Sequence, residues 1–231
     1  MAAATEGLLV LFDIDGTLLL RATDAHRDAL LAALREVHGL HDPGSVKAID
    51  PAGRTDGEIA RAILLAHGVS AARIDERALD VRHACVTAYA ELCPEDLSDL
   101  VAPGIEDVLE GLVDRAEVHL ALLTGNFEPV ARLKLRRAGL GGYFEAGQGA
   151  FGSDGEDRAG LPAIARRRAG TGGVPYPRER TVIVGDTPLD IACARADGVR
   201  CVAVATGRFG PDELAEADAV ARDASELLAL L

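Results

Sequence analysis

Asp13 and Asp15 stand two residues apart at the end of the apolar run LLVLFD, and Gly16 and Thr17 follow directly. Like charges delivered from one strand end raise each other's pKa and cost energy unless a cation or a shared proton compensates them. A polar turn is the plain alternative, because Asp and Gly are ordinary turn residues. Two other apolar runs end in the same manner. Thr124-Gly125-Asn126 closes VHLALLT, and Gly185-Asp186-Thr187-Pro188-Leu189-Asp190 follows TVIV. Each alone reads as a helix start, with Pro188 suited to a first turn. Together they deliver carboxylates and a hydroxyl to one edge of a sheet, where open α/β folds bind ligands.

The elements that must position these residues follow from hydrophobic pattern. Strands are expected at 8–13, 118–124, 181–186 and 199–205, with a short one at 218–221. Runs without alternation suit strands covered on both faces, and their alternation with helical segments gives a parallel sheet flanked by helices. About a hundred residues separate the first two strands, and there the apolar spacing is helical, over 23–38, 55–67 and 74–92. Thr23, Thr55 and Asp75 are the expected N-caps, and Thr55 with Glu58 spells a capping box. A helix at 104–114 leads into the second strand, and 141–160 reads as a loop or short edge strand before a helix at 159–169. The fold class is therefore α/β. A Rossmann-like, doubly wound parallel core (1–19 and 96–231) is interrupted by a helical insertion (20–95).

Composition narrows the function classes. The chain has 231 residues, 48% hydrophobic and 26% charged, which suits a soluble globular protein. No run approaches the ~20 apolar residues that span a bilayer, and the N-terminus lacks a basic leader. A net charge of −13 argues against nucleic acid and anionic membranes as partners. It leaves room for an anionic small molecule where a divalent metal inverts the local field. Cys85, Cys93, Cys193 and Cys201 lack metal-binding spacing and read as reduced thiols of a cytoplasmic protein, with Cys93 in a turn-like stretch. The six histidines, His26 among them, are scattered and read as surface or helix-end residues.

With these residues in place, the chain resembles the haloacid dehalogenase-like hydrolase superfamily. Asp13-Ile14-Asp15-Gly16-Thr17 matches its first motif, Thr124 its second, and Gly185-Asp186 with Asp190 its fourth. The insertion lies where that family carries a C1-type cap. The resemblance implies a phosphatase in which Asp13 attacks phosphorus and forms an aspartyl-phosphate. A carboxylate nucleophile splits a very slow hydrolysis into two displacements. Attack of an anion on an anion needs positive charge, and oxygen-rich ligation suits Mg²⁺. By resemblance, Mg²⁺ takes Asp13, the backbone carbonyl of Asp15, and Asp186, with Asp190 ordering the outer shell. Asp15 serves as general acid and then general base, with a neighbouring group keeping it protonated for the first step. Thr124, with Gly16, Thr17, Gly125 and Asn126, holds the phosphoryl oxygens.

The family's third motif, a cation usually seen as Lys-Pro, has no literal match. Arg158 lies at the expected interval before the fourth motif and is favoured. Lys134 is the other candidate: a helix starting near 127 carries it ~10 Å along the axis at 1.5 Å per residue, though its side chain leans back towards the helix start. The insertion would act as a lid, its polar break Pro51-Ala52-Gly53-Arg54-Thr55-Asp56 facing the site by resemblance. Arg54 then pairs with a substrate carboxylate or second phosphate, or else is solvated, and Thr55 is either a specificity residue or a helix cap. The expected partner is a small phosphorylated metabolite, handled by a monomer or homodimer. Three other readings stand beside hydrolysis. They are a phosphomutase of the β-phosphoglucomutase kind, a phospho-aspartate receiver domain and a catalytically idle binding protein. The position of D-x-D-G-T on strand one and the long insertion weigh against the receiver.

Overall fold

The computed structural model describes residues 7–45 and 49–231; Lys47 lies outside them. Six strands form one sheet: β1 (Leu8–Phe12), β2 (Val118–Thr124), β3 (Ala150–Phe151), β4 (Thr181–Gly185), β5 (Arg200–Val204) and β6 (Ala219–Ala221). Their order is β3-β2-β1-β4-β5-β6, and every neighbouring pair is parallel. The chain therefore winds from β1 to one side, then returns to β1's other edge with β4. Beyond the carboxyl ends of β1, β2 and β4 lies the switch point of a doubly wound sheet.

Both faces of the sheet are covered, which explains the unbroken apolar runs. Leu9, Leu11, Ala121, Leu123, Ile183 and Ala203 point to one core, closed by α6 (Leu161–Ala169) and α7 (Pro188–Asp197). Val10, Phe12, Leu122, Val182, Val184 and Val202 point to the other. On that side lie α4 (Ile105–Val113), α5 (Glu128–Arg137), the C-terminal α8 (Leu227–Leu230) and the segment between β1 and β2. That segment folds as α1 (Asp24–His38), α2 (Asp56–Ala66) and α3 (Ala71–Leu92). Its Leu30, Leu34, Leu64, Cys85 and Tyr89 belong to the same apolar cluster as Val10 and Phe12, so the inserted helices continue the core. Among the described residues, no helix is long and apolar enough to cross a membrane.

Strand and helix ends fall close to the expected positions, with three instructive differences. The third inserted helix begins at Ala71, because the Ser70 hydroxyl accepts the Arg73 amide at 3.3 Å. Asp75, the expected cap, lies inside that helix and pairs with Arg61 at 2.5 Å. Ala71-Ala72-Arg73 contains no large apolar residue, so the periodic pattern started a turn late. Thr23 precedes α1 but makes no capping hydrogen bond. Cys93 is buried like the other three thiols, and its Sγ donates to the Tyr89 hydroxyl at 3.2 Å.

Leu11 sits in the central strand and is fully buried, whereas Leu79 on α3 is 60% exposed. Leu11→Ala should lower unfolding stability by about 2–5 kcal/mol in a denaturant titration. Leu79→Ala should stay within about 0.5 kcal/mol. Equal effects would contradict this assignment of the core.

Candidate active site

The tips of β1 and β4 bring Asp13, Asp186 and Asp190 together, with one carboxylate oxygen of each within 4.8 Å of the others. All three are buried. Asp13 follows β1 directly, and its amide donates to the Val184 carbonyl at 2.9 Å, which ties the two strand ends. Gly16 has φ +93°, and a Cβ there would meet Asp186 Oδ2 at 2.1 Å. Only glycine allows the loop to pass so close to that carboxylate. The Thr17 hydroxyl donates to Asp186 Oδ1 at 3.3 Å. Thr187 and Asp190 form a capping box at the start of α7, with the Thr187 amide and hydroxyl donating to Asp190 Oδ2 at 3.0 and 2.7 Å. The sequence motif is thus both a helix cap and part of the acidic cluster.

Arg158 enters this cluster from the turn before α6. Its guanidinium donates to Asp190 Oδ1 and lies 3.3 Å from Asp13 Oδ1. Burial opposes its charge, but Asp190 and Asp13 more than compensate and raise its pKa, so it stays protonated. One buried cation therefore faces three acids. Burial pushes the Asp13 carboxyl up to about 7, against the pull of Arg158 and helped by Asp190 and Asp15. Burial likewise pushes Asp186 up to about 8, with Asp13 and Asp190 adding to it. Asp190 has both oxygens engaged, one by Arg158 and one by Thr187. Asp186 accepts only the long Thr17 bond among the described residues. The donors left for a cation are carboxylate oxygens of Asp13 and Asp186, hard ligands that fit Mg²⁺. A divalent ion there would offset the repulsion that raises both pKa values.

Asp15 occupies a different environment. Its carboxylate accepts Lys134 Nζ at 2.7 Å on both oxygens and Asn126 Nδ2 at 2.9 Å. Burial alone would raise its pKa; Lys134 above all, with His26 and Asn126, lowers it below the ordinary carboxylate value. Two expectations need correction here. The neighbour of Asp15 is a cation that favours its ionised form, the opposite of a group keeping it protonated. Lys134 also does reach the site. The axial distance to the helix tip was the wrong measure, because Asp15 is gripped from Asn126 before α5 and from Lys134 within it. The carboxylate therefore lies beside the helix, and the fully buried Lys134 stem leans back toward it. Both candidate cations are placed at the site, Arg158 on Asp13 and Lys134 on Asp15.

His26 lies in the first turn of α1, as a helix-end role implies, but it is buried, 7% exposed, and not at the surface. Its Nδ1 lies 3.2 Å from Lys134 Nζ, and its Nε2 lies 3.0 Å from Asp56 Oδ2. A signal was available: His26, Ala29, Leu30 and Ala33 share one buried stripe of α1. Asp56 gave none, since an acid after a threonine cap is ordinary helix-start chemistry.

Asp13, Asp15, His26, Asp56, Arg158 and Asp186 line a cavity of about 560 Å³ together with Thr124, Gly125 and Asn126. Thr124 is buried and its hydroxyl accepts the Asn126 amide at 3.3 Å. A Cβ on Gly125 would meet the Arg54 carbonyl at 2.0 Å, so the polar break of the insertion packs directly on this loop. Arg54 lines the cavity, with its guanidinium on the Asp50 carbonyl (3.0 Å) and Glu58. Thr55 does not face the cavity. It is fully buried, accepts the Glu58 amide at 3.1 Å and donates to the Glu156 carbonyl at 2.7 Å. Its structural position is that of a helix cap.

Comparison with known proteins agrees with this geometry. The family model for haloacid dehalogenase-like hydrolases matches residues 10–195. A phosphoglycolate phosphatase of Pseudomonas fluorescens is 28% identical over 207 residues, covering 86% of this chain and 70% of that protein. The tyrosine-protein kinase PtkA of Mycobacterium tuberculosis is 32% identical over 200 residues, again 86% of this chain, which spans 62% of PtkA. Among solved structures, CbbY from Rhodobacter sphaeroides in complex with phosphate superposes with TM-score 0.64 at 22% identity, covering 96% of each chain. A haloacid dehalogenase-like family protein of Streptococcus pneumoniae does so at 0.61 and 20%, covering 96% of this chain and 97% of that one. From D-x-D-G-T on β1 to the acids of β4 and α7, the match runs through every element that builds the acidic cluster, and the chain belongs to the haloacid dehalogenase-like hydrolase family.

Proposed function

We propose that this chain is a phosphatase that hydrolyses a small phosphomonoester through an aspartyl-phosphate on Asp13. The observation that carries the reading is the division of the first-motif acids. Asp13 stands among acids with Arg158, and Asp15 is clasped separately by Lys134 and Asn126. Two carboxylates two residues apart are thus given different electrostatic surroundings, as a nucleophile and an acid–base group require.

In the first step an oxygen of Asp13 bonds to phosphorus while the bond to the substrate oxygen breaks, and Asp15 gives its proton to the departing alkoxide. In the second, Asp15 takes a proton from water, which attacks phosphorus and releases inorganic phosphate from Asp13. The lowered pKa of Asp15 suits the second step. For the first, the negative charge of an incoming phosphoryl group opposes Lys134 and favours the protonated acid. Thr124 and the amides of Gly125 and Asn126 offer donors to phosphoryl oxygens just before α5. Mg²⁺ held by Asp13 and Asp186 would neutralise phosphoryl charge, with Asp190 and Arg158 fixing those ligands.

In this reading the inserted helices act as a cap over the cavity, and the volume limits the substrate to a small metabolite. Arg21, Arg27, Arg54 and Arg208 line the cavity of a protein whose net charge is −13. These arginines, set beside five aspartates of the same lining, offer partners to a substrate with an anionic group beyond its phosphate, a class that the phosphoglycolate phosphatase relatives also support. Phosphate release across a panel of phosphorylated carboxylic acids and sugars, with and without Mg²⁺, tests the reading. Dependence on an added bisphosphate without net phosphate release would replace hydrolysis by mutase chemistry.

Asp13→Asn should reduce phosphate release by at least about 10³-fold in a protein that remains folded, since covalent catalysis is lost. A normal rate would exclude Asp13 as the nucleophile. Metal dependence carries a definite pH sign. Asp13 and Asp186 have raised native pKa values, so their contribution to metal-free stability is fullest below about 4 and is lost as pH rises through about 7 to 8. Mg²⁺ binds the ionised carboxylates, so its stabilisation in thermal melts should be larger at pH 8 than at pH 5.5. A shift that is absent, or larger at the lower pH, would remove the metal from these acids.

A further inference from the structure

The arginines of the cavity are not equivalent. Arg27 holds Asp24 and Asp28, each at 3.0 Å, and Arg208 holds Asp50 at 2.7 Å. Arg54 is bound to Glu58 and to the Asp50 carbonyl. Of the buried cations, Arg158 faces Asp13 and Asp190, and Lys134 faces Asp15. Among the described residues that line the cavity, Arg21 alone carries a positive charge with no hydrogen bond and no ion pair.

Its backbone is also unusual. Arg21 has φ +60°, and among the described residues no other non-glycine residue has a positive φ. An L side chain is strained in that region, whereas glycine adopts it freely. The position lies in the first connection from the sheet to the inserted helices, between two anchored neighbours. The Leu20 amide donates to the Leu100 carbonyl at 2.7 Å, and Ala22 is buried. The neighbours hold the backbone in place, and the Arg21 side chain makes no polar contact that would offset the strain. A strained residue without a partner points to a role beyond the stability of the fold.

Resting on the phosphatase reading above, we infer that Arg21 selects the substrate, by taking an anionic group of the phosphomonoester that lies beyond its phosphate. While the acids and the 124–126 loop engage one end of the molecule, the free guanidinium offers paired donors to a carboxylate or second phosphate at the other. Arg54, in the polar break of the insertion, already has its guanidinium engaged, so the selection falls to the connection. Arginines that hold acids must release a partner before they can take a ligand. The unpaired charge of Arg21 also opposes the repulsion that five aspartates of the same lining exert on a second anionic group. This contact is made to a part of the substrate that does not react, so its loss acts mainly on KM.

The test measures kcat and KM for phosphate release by the intact protein with Mg²⁺ on matched substrates. 2-Phosphoglycolate is paired with 2-hydroxyethyl phosphate, and 3-phosphoglycerate with glycerol 3-phosphate; 1,3-propanediol bisphosphate supplies a second phosphate. The wild type should prefer an anionic member, carboxylate or bisphosphate, over its neutral counterpart by about 10-fold or more in kcat/KM, the worth of hydrogen bonds to a charged group. Arg21→Gln should lose most of that preference, chiefly through a raised KM, and Arg21→Lys should keep part of it. Arg54→Gln should retain more of it than Arg21→Gln does. Arg21→Gly relieves the backbone, so it should lose the preference without a lowered thermal midpoint. Phosphate release with no preference in the wild type, or a preference that survives Arg21→Gln or falls equally in Arg54→Gln, overturns the role of Arg21 and leaves the phosphatase reading intact. A lowered midpoint in Arg21→Gly with the preference kept makes Arg21 a structural residue and likewise overturns it. No release from any of these substrates or from p-nitrophenyl phosphate removes the phosphatase reading, and the selection with it.

Discussion

Three buried carboxylates share one guanidinium, and most of the site's architecture answers that imbalance. Two unit charges about 4 Å apart repel by roughly 4 kcal/mol at an effective dielectric near 20. Asp190 relieves its share through Arg158 and the Thr187 cap, which is why a capping box and a catalytic-looking motif coincide. Asp13 and Asp186 are left with raised pKa values and unused oxygens. Gly16 allows Asp186 to stay close instead of being pushed out by a side chain. Such an arrangement is costly as packing, and buried acids with strongly shifted pKa values mark a candidate functional site.

Asp15 escapes the cluster because Lys134 and Asn126 draw it to the flank of α5. Two residues of sequence are enough to separate an acid that shares its surroundings with other acids from one that is held by a cation. The fold supplies this separation cheaply, since β1 ends at the switch point with β2 and α5 on one side and β4 and α7 on the other. The inserted helices complete the arrangement and share the apolar core under β1. Their Asp56 and His26 carry the contact from the insertion to Lys134 beside Asp15.

Much of this was legible in the chain. Unalternated runs gave β1, β2, β4 and β5 within a residue, because strands buried on both faces leave no room for polar positions. Strand tips then identified the acids, since the end of a parallel strand is where a side chain meets ligand. Long-range contacts were harder. The Lys134 contact depends on how far the side chain leans back and on where the 13–19 loop lays Asp15, distances that spacing does not fix. His26 was readable from its apolar neighbours on α1; Asp56 was not, because its partners are 30 and 71 residues away. Thr55 was read both as a cap and as a specificity residue, and the backbone claims it for the cap.

The covalent step is the centre of this account, and rapid chemical quench tests it most directly. Enzyme mixed with excess phosphomonoester and Mg²⁺, stopped in acid within the first turnover and digested, should yield one peptide heavier by a single phosphoryl group. Fragmentation should place that group on Asp13, and it should decay at the rate of phosphate release. Phosphate released with no phosphorylated peptide at any quench time, or a phosphoryl group carried by any other residue, would contradict the account.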